Sequence, residues 1–164
     1  MRKLAGDIMQ DLITSERVAS GVQTASKKQL FQELATLIIK GTPELENITP
    51  RDIVTPAMER ERLGSTGVGY GVALPHARVA GISQVYAGFI RLQEPMDYEA
   101  IDDRPVDLVA MIIAPENAGG AHLRALPRLS RQLRREHVRA RLRAAPDVQS
   151  LYMTLSDNNQ NQAA

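Results

Sequence analysis

Cysteine and tryptophan are absent from this 164-residue chain, and aromatic residues make up only 4% of it, as two Phe and four Tyr. Without thiols there are no disulfides, thiolate metal sites or cysteine nucleophiles, a composition compatible with a reducing cytoplasm. So few aromatics leave little material for a platform that stacks several bases or sugars. An excess of one charge is missing too, since 20 Lys+Arg oppose 19 Asp+Glu for a net +1. No apolar run approaches the roughly 18–20 residues that cross a bilayer, and the longest, at 106–114, suits a buried strand. Gly6, Asp7, Gln10 and Asp11 interrupt the first 13 residues, which therefore lack the continuous apolar stretch of a secretory signal. A protein without membrane spans, located in the cytoplasm, is expected.

What is present is ordinary globular material. With 43% hydrophobic and 24% charged residues, the composition fits one soluble domain with an aliphatic core. Ser26 and Gln29 have capping-box spacing, and Leu30, Leu34, Leu37 and Ile38 follow at helical intervals until Gly41, predicting a helix over about 27–40. Thr49 before Pro50 and Asp52 starts a second helix whose apolar face is Ile53, Val54, Ala57 and Met58 and which ends near Arg62. Strands are expected at 72–74, 85–92 and 106–114, the last buried on both faces and stopped by Pro115. An arginine-rich helical pattern covers 121–144, and Asp147 can cap a short helix ending near Ser156. Residues 10–156 form the expected domain and 157–164 a polar tail; no internal repeat or interdomain linker is evident.

Between the second helix and the first strand of the sheet lies Gly64-Ser-Thr-Gly-Val-Gly-Tyr-Gly71. Glycine costs about 1 kcal/mol at each helical position, so this run is a loop or an irregular strand. It lacks the Gly-Lys-Ser/Thr ending of a nucleotide P-loop and does not complete the dinucleotide fingerprint. A twisted strand under close backbone contact explains it equally well. Of the three histidines, His76, His122 and His137, the first stands out. It ends an apolar strand reading Gly71-Val-Ala-Leu-Pro-His76, where rigid backbone can present an imidazole at a sheet margin.

The stretch Arg60-Glu-Arg-Leu-Gly-Ser-Thr-Gly-Val-Gly-Tyr-Gly-Val-Ala-Leu-Pro-His76 resembles the active-site signature of the fructose/mannitol-type enzyme IIA of the bacterial phosphoenolpyruvate-dependent phosphotransferase system. Similarity extends through Ser26-Lys-Lys28, the segment from Tyr98 to Leu108, the surroundings of His122, and Arg141-Leu-Arg-Ala-Ala145. Ala100-Ile-Asp-Asp-Arg-Pro-Val-Asp107 and Gly64-Ser-Thr-Gly67 are most similar to the nitrogen-regulatory branch. The resemblance implies a single α/β domain with a mixed central β-sheet flanked by α-helices on both sides. It implies a regulatory phosphocarrier in which His76 accepts a phosphoryl group from a histidine of an HPr-like phosphocarrier protein and whose phosphorylation state controls partner proteins. No metal or other cofactor is implied. Imidazole suits the task, being partly neutral and nucleophilic near pH 7.

By the same resemblance His122 hydrogen-bonds the phosphoryl group or orients the first ring, and Arg60 holds phosphoryl oxygens with its guanidinium fork. Each has a plainer reading, a water-facing histidine at a helix start and an exposed arginine at a helix end. Ser65 and Thr66 offer further donors but are equally turn formers. Two departures from the family pattern stand out. Ala77 occupies a position that is often glycine, and Pro127 falls in a segment that the family makes a continuous helix, where it removes one helical hydrogen bond and should kink the chain.

Eight arginines and one glutamate between Arg124 and Arg143 give that stretch +7, leaving −6 for the other 144 residues. Arg124, Arg128, Arg131 and Arg135 fall at helical spacing opposite Leu126, Leu129 and Leu133, the pattern of a solvated face; an acidic-protein surface is the rival, and modest total charge with few aromatics argues against nucleic acid. Three other functions remain to be weighed. A stand-alone sugar-transport subunit shares the signature, although these 164 residues hold no permease segment. A binding module would leave His76 unphosphorylated. A metal hydrolase built on His76 and His122 lacks a close ligand pair such as His-x-x-x-His.

Overall fold

A computed structural model describes residues 12–157, apart from the side chains of 120–123. The strands are β1 (Val18–Val22), β2 (Gly67–Gly69), β3 (Val72–Ala73), β4 (His76–Val79), β5 (Tyr86–Met96) and β6 (Val106–Pro115). The helices are α1 (Lys27–Lys40), α2 (Pro50–Leu63), α3 (Gly120–Arg134), α4 (Glu136–Ala144) and α5 (Val148–Ser156).

Helix starts follow the local chemistry. Thr49 and Asp52 exchange both hydrogen bonds of a capping box, satisfying two backbone donors that have no partner inside α2. At α1 the Ser26 hydroxyl accepts from the Gln29 N–H, but Gln29 returns its bond to the Ala25 N–H at 3.1 Å rather than to Ser26, so the expected box is displaced by one residue. Asp147 caps α5 by accepting from the Ser150 N–H at 2.8 Å.

The sheet runs β1-β5-β6-β3-β2, with β4 also paired to β6. β1 is parallel to β5, β5 antiparallel to β6, and both β3 and β4 parallel to β6, so the sheet is mixed. Alternation along β6 assigns its side chains to two cores. Val109, Met111 and Ile113 pack with Leu30, Leu34 and Ile53 of α1 and α2. Leu108, Ala110 and Ile112 pack with Leu129, Leu142 and Leu151 of α3, α4 and α5. Helices therefore cover both faces, and β6 is buried on both, as the resemblance and the apolar run led one to expect.

Two expectations need correction. The segment 71–76 is not one strand: β3 stops at Ala73 and β4 begins at His76. Pro75 between them has no N–H to give to the ladder, although its carbonyl still accepts from Ile112 N–H at 3.0 Å. The arginine-rich pattern is two helices, because Arg135 leaves the helical region at φ −79° and ψ 125°. α3 runs through Pro127 to Arg134. Helical periodicity does not detect a one-residue break.

Candidate functional site

α2 delivers Arg60 and then Leu63 at its carboxyl end, and its exit carbonyl at Gly64 accepts a hydrogen bond from Arg60 Nη1 at 3.0 Å. The chain then passes through the glycine run and returns along β3. His76 opens β4, an edge strand paired with β6 through Ile112 and packed beside α2. His76, Arg60, Leu63 and Arg78 thereby line one open cleft of about 510 Å³, together with Glu59. The two arginines against one glutamate leave its rim with an excess positive charge, which suits an incoming phosphoryl group.

The His76 ring is half-buried, and its Nδ1 lies 3.1 Å from the Leu74 carbonyl oxygen. A carbonyl can only accept, so this contact places the proton on Nδ1 and keeps the lone pair of the neutral ring on Nε2. Arg78 donates from Nη1 to the carbonyls of Glu116, at 3.2 Å, and Ala118, at 2.7 Å. It thereby ties β4 to the segment that leads into α3, where His122 sits in the first turn. The His122 side chain lies outside the described residues. The fold thus brings Arg60 into the cleft of His76.

Thr66 and Ser65 are used locally. Ser65 Oγ accepts from the Gly67 N–H at 3.1 Å, a turn contact. Thr66 gives its N–H, at 2.9 Å, and its hydroxyl to the carboxylate of Glu61, which is only 7% exposed. Lys27 donates to the same carboxylate at 3.1 Å and lies 4.3 Å above the Tyr98 ring, whose hydroxyl also donates to Glu61 at 3.1 Å. Burial pushes the Glu61 carboxyl up, but the Thr66 hydrogen bonds and the Lys27 ammonium outweigh it and hold the group below its ordinary range. Burial first, then the Glu61 charge, pushes the Tyr98 phenol well up.

Sequence reasoning missed Arg78 and this buried network. Glu61 had a signal, for it continues the series Ile53, Val54, Ala57 and Met58 on the buried face of α2, where an acid requires partners. Arg78 had none, because its partners are backbone carbonyls about 40 residues away.

Among the described residues no group of acidic or histidine side chains could hold a metal ion, and no helix is long and apolar enough to cross a membrane.

Comparison with known proteins agrees with this architecture. A curated nitrogen regulatory protein from Bradyrhizobium diazoefficiens is 40% identical over 146 residues, covering 89% of this chain and 93% of that protein. One from Pseudomonas aeruginosa is 36% identical over 149 residues, covering 91% and 95%. The crystal structure of nitrogen regulatory protein IIA-Ntr from Neisseria meningitidis superposes with a TM-score of 0.82 at 32% identity, covering 90% of this chain and 99% of that one. The family model for the EIIA 2 domain of the phosphoenolpyruvate-dependent sugar phosphotransferase system matches residues 11–158, and the chain belongs to that family.

Proposed function

We propose that this phosphotransferase-system component is a regulatory phosphocarrier of the nitrogen type, that His76 Nε2 accepts the phosphoryl group, and that an HPr-like phosphocarrier protein donates it. The observation that carries the reading is the Nδ1–H contact to Leu74 O, which directs the nucleophilic lone pair of a histidine in an arginine-bearing cleft to Nε2. In the transfer, Nε2 forms a bond to phosphorus as the N–P bond of the donor histidine breaks, and the donor ring leaves with that electron pair as neutral imidazole. The His76 ring keeps its Nδ1 proton and gains positive character, so the hydrogen bond to Leu74 O becomes charge-assisted. Phosphoryl transfer asks mainly for positioning and charge stabilisation. Arg60 supplies the charge beside the ring, and Leu63, 85% exposed on the same cleft, offers a docking protein an apolar contact. His122, at the start of α3, is assigned the second histidine's role of hydrogen-bonding the phosphoryl group.

Regulation follows from electrostatics. A phosphoryl group adds nearly two negative charges at a protein-docking surface, so a partner fitted to neutral His76 is repelled. The test is to incubate the protein with phosphoenolpyruvate, enzyme I and the HPr-like carrier, and to seek acid-labile, base-stable phosphate by intact mass. One phosphoryl group is expected on the wild type and none on His76→Ala; undiminished labelling of His76→Ala would overturn the assignment. Partners captured from cytoplasmic extract should favour the unphosphorylated form. Equal binding to both forms, with efficient transfer to a sugar-transporter domain, would replace regulation with transport.

A further inference from the structure

The buried carboxylate of Glu61 lies outside the cleft of His76, yet an unbroken line of hydrogen bonds joins the two. Glu61 Oε2 accepts the Thr66 N–H at 2.9 Å and a Lys27 N–H at 3.1 Å. Glu61 Oε1 accepts the Thr66 hydroxyl and, at 3.1 Å, the Tyr98 hydroxyl. Thr66 Oγ1 is also 2.8 Å from Tyr98 Oη, so the Thr66 residue is held through both backbone and side chain. Its carbonyl accepts the Leu74 N–H at 2.9 Å, and the Leu74 carbonyl in turn accepts from His76 Nδ1. Leu74 and Pro75 form the gap between β3 and β4, where the Leu74 N–H is held by the Thr66 carbonyl and the Pro75 carbonyl by the Ile112 N–H of β6. Thr66 therefore holds Leu74 on the amino side of the carbonyl that meets His76, as Ile112 holds Pro75 on its carboxyl side, and Glu61 holds Thr66.

We infer that Glu61 is a positioning residue that fixes, through Thr66 and Leu74, which nitrogen of His76 carries the proton and which receives the phosphoryl group. The inference deepens the reading of His76 as phosphoryl acceptor and rests on it for the second half of its test. The carboxylate matters because it accepts from four donors at once and pairs its charge with Lys27. Glutamine at position 61 keeps one oxygen and puts an NH₂ donor in place of the other, facing either the Thr66 and Lys27 N–H groups or the two hydroxyls. Either way the charge paired with Lys27 is lost, and with the oxygen toward the N–H groups both hydroxyls must turn to accept from the NH₂, so the hold on Thr66 weakens.

Two readouts test it. The first uses unphosphorylated protein and needs no phosphotransfer: the nitrogen-15 shifts of the His76 imidazole report the tautomer. Wild type should be predominantly Nδ1–H, and Glu61→Gln should show a mixture, with the Nε2–H form raised at least tenfold. The second uses protein phosphorylated by the HPr-like carrier. Wild type should carry phosphate on Nε2 alone, and Glu61→Gln should carry part of it on Nδ1. Transfer at saturating carrier should slow at least tenfold while half-saturation stays within twofold, because the docking surface is unaltered. Should Glu61→Gln fail to fold, Thr66→Val, which keeps the backbone and volume but removes the hydroxyl, takes the same measurements with a smaller shift in the same direction. Unchanged tautomer populations in a folded variant, or slower transfer with unchanged tautomer and phosphorylation site, would overturn the inference. Failure of the wild type to be phosphorylated would sink the acceptor reading and leave the tautomer result standing.

Discussion

Arg60 and Arg78 share one cleft but have different duties. Arg60 spends Nη1 on Gly64 O, and its remaining N–H groups have no hydrogen-bond partner among the described residues, so they are able to meet an anion in the cleft. Arg78 spends Nη1 on the carbonyls before α3. A hydrogen bond to a charged group is worth about 1.5–3 kcal/mol, so Arg60→Ala should slow phosphoryl transfer to His76 by roughly 10- to 100-fold. Thermal stability should change little. Arg78→Ala should instead raise amide exchange at residues 116–118 as well as slowing transfer. Stopped transfer assays with hydrogen exchange separate the two, and equal exchange in both variants would remove the tether from Arg78.

At the scale of elements, β2 and α3 each depend on a close fit. A Cβ on Gly67 would come within 2.6 Å of Ala100 Cβ and 2.8 Å of its Cα, so β2 can lie against the 98–101 segment only with glycine there. Gly67→Ala should lower unfolding free energy by about 1–3 kcal/mol, the cost of overpacking, read from a denaturant midpoint at unchanged slope. The end of α3 is held from the next helix, because Arg139 Nη1 donates to the carbonyls of Leu133, at 3.1 Å, and Arg134, at 2.6 Å, while its guanidinium covers the Tyr70 ring at 4.6 Å. Arg139→Ala strips partners from terminal carbonyls and removes a buried stem, so a loss of about 2 kcal/mol is expected. Faster exchange at the end of α3 would accompany it, and a variant as stable as wild type would show that water replaces the guanidinium without cost.

For the whole molecule, acid is the condition that exposes the network. Glu61 is held below its ordinary value of 4.5 in the folded protein, so the unfolded chain takes up the proton first as pH falls. The stability this group contributes is therefore complete above about pH 5, and is lost as pH drops through 4.5 toward the folded value. Denaturation followed between pH 7 and 3 should show that Glu61→Gln, though less stable at neutral pH, loses less on acidification than wild type. Parallel curves would mean that the carboxylates at the surface carry the whole acid response.

Much of this protein is legible along the chain. The capping signals at Thr49 and Asp147, the helical spacing of Leu30, Leu34 and Ile38, and the apolar run of β6 act within a few residues, so the elements follow from local chemistry. The signature ending in His76 identified the family. Short interruptions were not legible, since the break at Arg135 alters one pair of dihedrals and the gap at Leu74 and Pro75 spans two residues, each inside a pattern that continues on both sides. Nor were contacts between distant segments. Nothing local joins Lys27 and Tyr98 to Glu61 and Thr66, or Arg78 to Ala118, because each partner is chosen by sheet order and helix packing. The sequence determined that an imidazole would stand at a strand margin after a glycine-rich loop. Only the tertiary structure decided that the Leu74 carbonyl accepts from its Nδ1, because the backbone at Leu74 and Pro75 is held by Thr66 and Ile112, which sheet pairing brings to it.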